Sequence, residues 1–145
     1  MNSQKQILNQ EVIDAVAEKQ QEVFDIKFQN IIYYMENKSK IIYQEKSVPI
    51  DFLKATSEMN SLDWTDKYNH IGFDNLSKTG ECVQFIRQGE DKWYAEVPIL
   101  KNGRWTRYTW ISYSDTKTVT NMLRLFFEEV PWFGMISWKM MRFKH

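Results

Sequence analysis

Asp63, Asp66, His70 and Asp74 stand at spacings of three, four and four. On one continuous helix they would share a face, and carboxylates with an imidazole can hold a divalent cation. Gly72 interrupts such a helix and the surrounding residues are polar. The group therefore reads as a solvated loop in which Asp66 and His70 pair as exposed ions, a weak interaction. No metal is expected. Cys82 is the sole cysteine, which excludes an internal disulfide and a multi-cysteine metal centre and suggests a reducing compartment. As a nucleophile it would need a thiolate and a nearby imidazole, and His70 is the better placed of the two histidines. Nothing places Cys82 at a helix N-terminus, so it reads as a small apolar residue at a strand start. Glu96 could act as one of two carboxylates, but its expected diagonal neighbour Arg107 makes a cross-strand ion pair the simpler reading. No phosphate-cradling glycine loop and no zinc-protease motif occurs. No catalytic residue and no cofactor are expected.

The elements that would position these groups are clearest between Glu81 and Asp115. Asn102-Gly103 signals a two-residue hairpin, because a type I′ turn needs positive φ at both central residues. Strands are expected over about Cys82–Arg87, Lys92–Leu100 and Arg104–Tyr113, an antiparallel three-stranded meander. The turn sets Leu100 opposite Trp105, Val97 opposite Tyr108 and Ala95 opposite Trp110. One face then carries Trp93, Ala95, Val97, Ile99, Tyr108 and Trp110 and belongs on the core. The other carries Tyr94, Glu96, Leu100, Trp105, Arg107 and Ile111 and is the open face. Pro98 predicts an end or a bulge in the middle strand. Ser114-Asp115 caps a helix over about 115–130, with Val119, Met122, Leu123, Phe126 and Val130 on its apolar side and Pro131 as its stop. Met135 to Phe143 reads as a final strand.

Earlier in the chain, Ile7, Leu8, Val12, Val16 and Val23 recur at helical spacing, which predicts a helix from about Lys5 to Gln21 with a continuation toward Met35 left open. Ile31 to Tyr43 fits either a hairpin or a helix end followed by a strand. Ser47-Val48-Pro49 reads as the start of a short helix ending near Met59, and Asn60 to Gly80 as a long loop with one helical turn around Trp64 to His70. The expected fold is one α+β domain over residues 1–145. It has an N-terminal helical region, the meander packed on its helix, and the last strand.

The 145 residues balance 19 basic against 19 acidic side chains. A whole-chain attraction to nucleic acid is thereby excluded. All five arginines nevertheless lie in the second half. Arg104, Trp105 and Arg107, with Tyr94 and Glu96, form a basic and aromatic candidate binding surface. Trp132, in a segment rich in Trp and Met, is a further anchor of the type that interfaces favour. The run Lys92 to Val97, then Asn102-Gly103-Arg104, then Tyr113 to Thr116 before a helix resembles the DNA-binding domains of plant ethylene-response factors. Those domains are also a three-stranded sheet packed on a helix. The resemblance covers about a quarter of the chain. This chain departs from it in having no alanine-rich helix face and few arginines in the first strand, so the shared features read as convergence on hairpin chemistry.

With an aromatic content of 15% and no catalytic motif, the sequence suggests a small non-enzymatic protein that recognises another protein, in the manner of inhibitors or immunity proteins. The alternative is a nucleic-acid-binding module using the open sheet face. No run of about 18 apolar residues and no signal-peptide pattern is found, so no membrane partner and a cytoplasmic location are expected.

Overall fold

The computed structural model describes residues 30–142, apart from 79 and 80. The expected helix at 5–21 lies outside the described residues, as does Phe143. Within them the architecture is an eight-stranded antiparallel sheet with two α-helices, which corrects the expected three-stranded meander on a helix. The strands are β1 (Ile31–Asn37), β2 (Lys40–Ile42), β3 (Val48–Pro49), β4 (His70–Asn75), β5 (Cys82–Gly89), β6 (Lys92–Lys101), β7 (Arg104–Ser114) and β8 (Lys139–Arg142). Their order across the sheet is β2-β1-β4-β5-β6-β7-β8, with β3 also paired to β1. Helices α1 (Phe52–Asn60) and α2 (Thr116–Phe127) both contribute to the core.

Local chemistry accounts for most of these elements. In β1 the residues alternate strictly between buried and half-buried, with Ile31, Tyr33, Met35 and Asn37 inward. That period of two is a strand's, so the helical continuation toward Met35 is overturned at its far end and the hairpin alternative holds. Val48–Pro49 is a short strand rather than a helix start. The helix begins later, at Asp51, whose carboxylate accepts from the Lys54 amide at 2.7 Å. Helix α2 is capped in the same way by Asp115 on the Thr118 amide at 2.8 Å. It buries Val119, Met122, Leu123, Phe126 and Phe127, whereas Val130 lies beyond its end and is exposed.

The largest departure from the expected elements is β4, which occupies part of the expected loop. Gly72, Asp74 and Asn75 disguise it in the sequence. Ile71 and Phe73 point into the core, and Gly72 leaves room on the other face for the Tyr34 ring. A Cβ on residue 72 would stand 2.0 Å from Cζ of Tyr34. Gly72→Ala is accordingly expected to cost about 1–3 kcal/mol through overpacking. Its cost should fall sharply in a Tyr34→Ala background. Chemical denaturation of the two single variants and the double variant measures that coupling.

The β6–β7 hairpin turns at Asn102 (φ 54°) and Gly103 (φ 75°), as a type I′ turn requires. Leu100 faces Trp105, but the ladder then shifts near Pro98, so Val97 faces Trp110 and Ala95 faces Ser112. Pro98 has no amide hydrogen for the ladder. On the opposite strand Thr106 absorbs the irregularity: its hydroxyl donates to the Ile99 carbonyl at 2.9 Å and accepts from the Tyr108 amide at 3.2 Å. Trp93, Ala95 and Val97 are in the core and Trp110 packs partly against it, while Tyr108 is exposed. The expectation that Tyr108 joins that core is thus corrected, because the two-residue shift carries it past the covered part of the sheet. The final strand is shorter than expected and pairs with β7, Trp110 facing Met140. Among the described residues no helix is long and apolar enough to cross a membrane.

Candidate functional site

The face of the sheet opposite the helices carries a row of register neighbours across six strands: Tyr34, Gly72, Gln84, Glu96, Ile111 and Lys139. Tyr34 crosses the glycine and its hydroxyl donates to Gln84 Oε1 at 3.1 Å. One step along the strands, Asp74 faces Cys82. Tyr34, Asp74, Cys82, Gln84 and Glu96 from this face line an open cleft of about 650 Å³. Trp105, Thr106 and Pro98 supply the wall from the hairpin, and Lys78 and Glu81 the wall at the other end.

Burial sets the electrostatics of this face. It raises the Tyr34 phenol far above its ordinary value, and the nearby Asp74, Cys82 and Glu96 add to the effect. The Tyr94 phenol rises for the same reason, with a hydrogen bond to Glu96 as the next cause. Burial also raises the Asp74 carboxyl, an effect the hydrogen bond from Cys82 opposes. The Cys82 thiol is pushed up to about 12 by burial and then by the charge of Asp74.

Cys82 is therefore a protonated thiol at neutral pH rather than an activated nucleophile. Its ordinary value is 9.0, so between pH 9.0 and about 12 the folded chain keeps a proton that the unfolded chain releases. This contribution to stability is complete below pH 9.0 and is lost as pH rises through that window. Cys82→Ala should flatten the decline, as followed by denaturation at pH 8 and at about pH 11.

The sequence-derived residues separate on this map. Glu96 and Trp105 meet at the cleft. Tyr94 is buried beside Glu96 and its ring is tilted by 58° against that of Tyr113, with centroids 5.2 Å apart. Arg104 and Arg107 are exposed at the hairpin end. The expected Glu96–Arg107 ion pair does not form among the described residues, because the shift near Pro98 places Ile111 opposite Glu96 instead. Trp132 is not a surface anchor: it is 5% exposed, and its indole donates to Glu81 at 2.7 Å.

The group Asp63, Asp66, His70 and Asp74 is dispersed. Asp63 and Asp66 accept from the amides of Thr65 and Tyr68, His70 opens β4 with Glu36 at 4.0 Å, and Asp74 points into the cleft. The expected Asp66–His70 pair is thus replaced by Glu36. Among the described residues no cluster of three or more His, Cys, Asp or Glu could hold a metal ion.

Sequence reasoning missed Tyr34, Gln84 and the role of Asp74. The alternation from Ile31 to Asn37 was the signal that could have placed Tyr34 on the outer face. No family model, curated protein or solved structure matches the chain.

Proposed function

We propose that this is a non-enzymatic binding protein that recognises another protein through the far end of the β6–β7 hairpin, as an inhibitor or immunity protein would. The observation that carries the reading is the exposure of Trp105 (59%) and Tyr108 (42%) beside Arg104 and Arg107. Arg142 lies across from Tyr108 in the ladder. Trp, Tyr and Arg dominate interface energies when a partner desolvates them. Among the described residues none of these three arginines has an ion-pair partner, so each is available to a carboxylate on the partner. Met140, also exposed, lies two residues from Arg142 on the same face of β8 and extends that side of the patch.

The alternative is a nucleic-acid module. It is the weaker proposal, because Asp74 and Glu96 put carboxylates on the open face where phosphates would have to lie. The discriminating experiment is capture from native lysate with and without nuclease, followed by a salt titration of binding. A protein partner is expected to survive nuclease and to bind with little salt dependence. Nuclease-sensitive capture with a slope of about −0.9 per duplex phosphate, flattened by Arg104→Ala and Arg107→Ala, would replace this reading with the alternative.

A further inference from the structure

The open face holds a second pocket, of about 400 Å³, at the end of the sheet away from the Asn102-Gly103 turn. It shares no lining residue with the Trp105 cleft. Two cations, Lys67 and Arg87, and three aromatic side chains, Trp64, Tyr94 and Tyr113, line it, and no carboxylate does. Neither cation has an ion-pair partner among the described residues.

Arg87 is fixed in place without being neutralised. Its guanidinium lies 4.5 Å from the Trp64 ring centroid and 5.4 Å from that of Trp93. Its Nε donates to the Gly89 carbonyl at 3.2 Å, Nη1 to the Asn60 carbonyl at 3.0 Å and Nη2 to the Glu90 carbonyl at 2.7 Å. Neutral carbonyls orient the fork and leave its charge whole. A guanidinium has five N–H groups, so two of them keep no partner. A half-buried, ordered cation with free donors and no carboxylate is prepared for an anion. The loop that presents Trp64 and Lys67 is also held: Asp63 accepts from the Thr65 amide, Asp66 from the Tyr68 amide, and the Asn69 side chain donates to the Asp63 carbonyl at 3.0 Å.

The lining narrows the ligand. Two unpaired cations suit a doubly charged group, and a phosphate monoester carries about −1.5 to −2 at pH 7. Trp64 is 43% and Tyr113 67% exposed, which leaves aromatic surface on which a flat ring stacks. Glu96 is engaged by the Tyr94 phenol and lines the other cleft with Asp74 and Glu81. A single phosphate therefore fits at this end, where a strand crossing the whole face would not. We propose that the pocket binds a phosphate monoester carrying a flat aromatic group, with the phosphate at Arg87 and Lys67 and the ring against Trp64 and Tyr113. A nucleoside monophosphate and a phosphorylated tyrosine share this chemistry. The proposal is independent of the hairpin-end reading.

The test is an NMR titration of the full chain with adenosine monophosphate, acetyl-phosphotyrosine-amide, adenosine and inorganic phosphate, following the Trp64 indole N–H and the Arg87 Nε–H. Saturable shifts at both groups are expected for the two monoesters, with adenosine and inorganic phosphate each weaker by at least about tenfold. Lys67→Ala and Tyr113→Ala, both at exposed positions, should each weaken binding by about tenfold without touching the fold. Tighter binding of adenosine monophosphate assigns the site to a free nucleotide, and tighter binding of the phosphotyrosine probe assigns it to a modified partner. The proposal is overturned if neither monoester gives saturable shifts up to about 50 mM, well above a millimolar Kd. It is equally overturned if adenosine or inorganic phosphate binds as well as the monoesters, or if the Arg87 Nε–H does not respond, which would leave Arg87 as a clamp on the α1 end alone. Unchanged binding by Lys67→Ala and Tyr113→Ala, folded by circular dichroism, would also overturn it.

Discussion

Phe73→Ala is expected to destabilise the protein by about 3–5 kcal/mol, the range for truncating a fully buried phenylalanine. Phe73 is wholly inaccessible and sits at the meeting point of the core rings. Its centroid lies 6.5 Å from Tyr33, 6.3 Å from Phe85 and 6.0 Å from Phe127. These partners come from β1, β5 and α2, so the cavity would open where three elements join. Against a typical total stability of about 5–15 kcal/mol the loss is a large fraction. The measurement is the shift in denaturation midpoint at unchanged slope. Trp110→Ala provides the contrast. Trp110 is only partly buried, so its truncation should cost clearly less, about 1–2 kcal/mol. Equal costs for the two would mean that β4 does not run through the core.

Trp105→Ala is expected to have the opposite profile. Its indole is 59% exposed, so stability should stay within about 0.5 kcal/mol of wild type. Affinity for the protein partner should fall by at least about 2 kcal/mol, roughly thirtyfold, as for an aromatic hot spot. Trp132→Ala should reverse both effects, because that side chain is buried and hydrogen-bonded to Glu81. A partner that tolerates Trp105→Ala but not a hairpin-distant change would exclude the hairpin end as the recognition surface.

The elements legible in the sequence are those whose signals are local. Asn102-Gly103 demands positive φ wherever it sits, and the hairpin forms around it. Asp115 caps the helix that follows because its carboxylate reaches an amide three residues on. The alternation of β6 marked Trp93, Ala95 and Val97 as inward and the spacing of α2 marked Val119, Met122, Leu123 and Phe126, whereas Ile99 and Val130 fall outside the core and Phe127 joins it. The candidate surface was legible only in part. Arg104, Trp105 and Arg107 are exposed as their place beside the turn suggests, whereas composition alone could not distinguish Trp105 from Trp132.

Tertiary structure decided the rest, and each instance has its own physical cause. β4 contains Gly72, Asp74 and Asn75, which read as loop residues in isolation. It becomes an interior strand because Tyr34 of β1 covers the glycine and Phe73 is enclosed by rings from three other elements. The register of β7 beyond Thr106 depends on how one hydroxyl fills the irregularity opposite Pro98, a contact no turn rule contains. The cleft brings Tyr34, Asp74, Gln84, Glu96 and Trp105 together from five strands. Sequence specifies which of these side chains point outward once a strand is known. It does not specify which strands lie side by side, because that choice rests on long-range pairing and on the core the whole sheet shares.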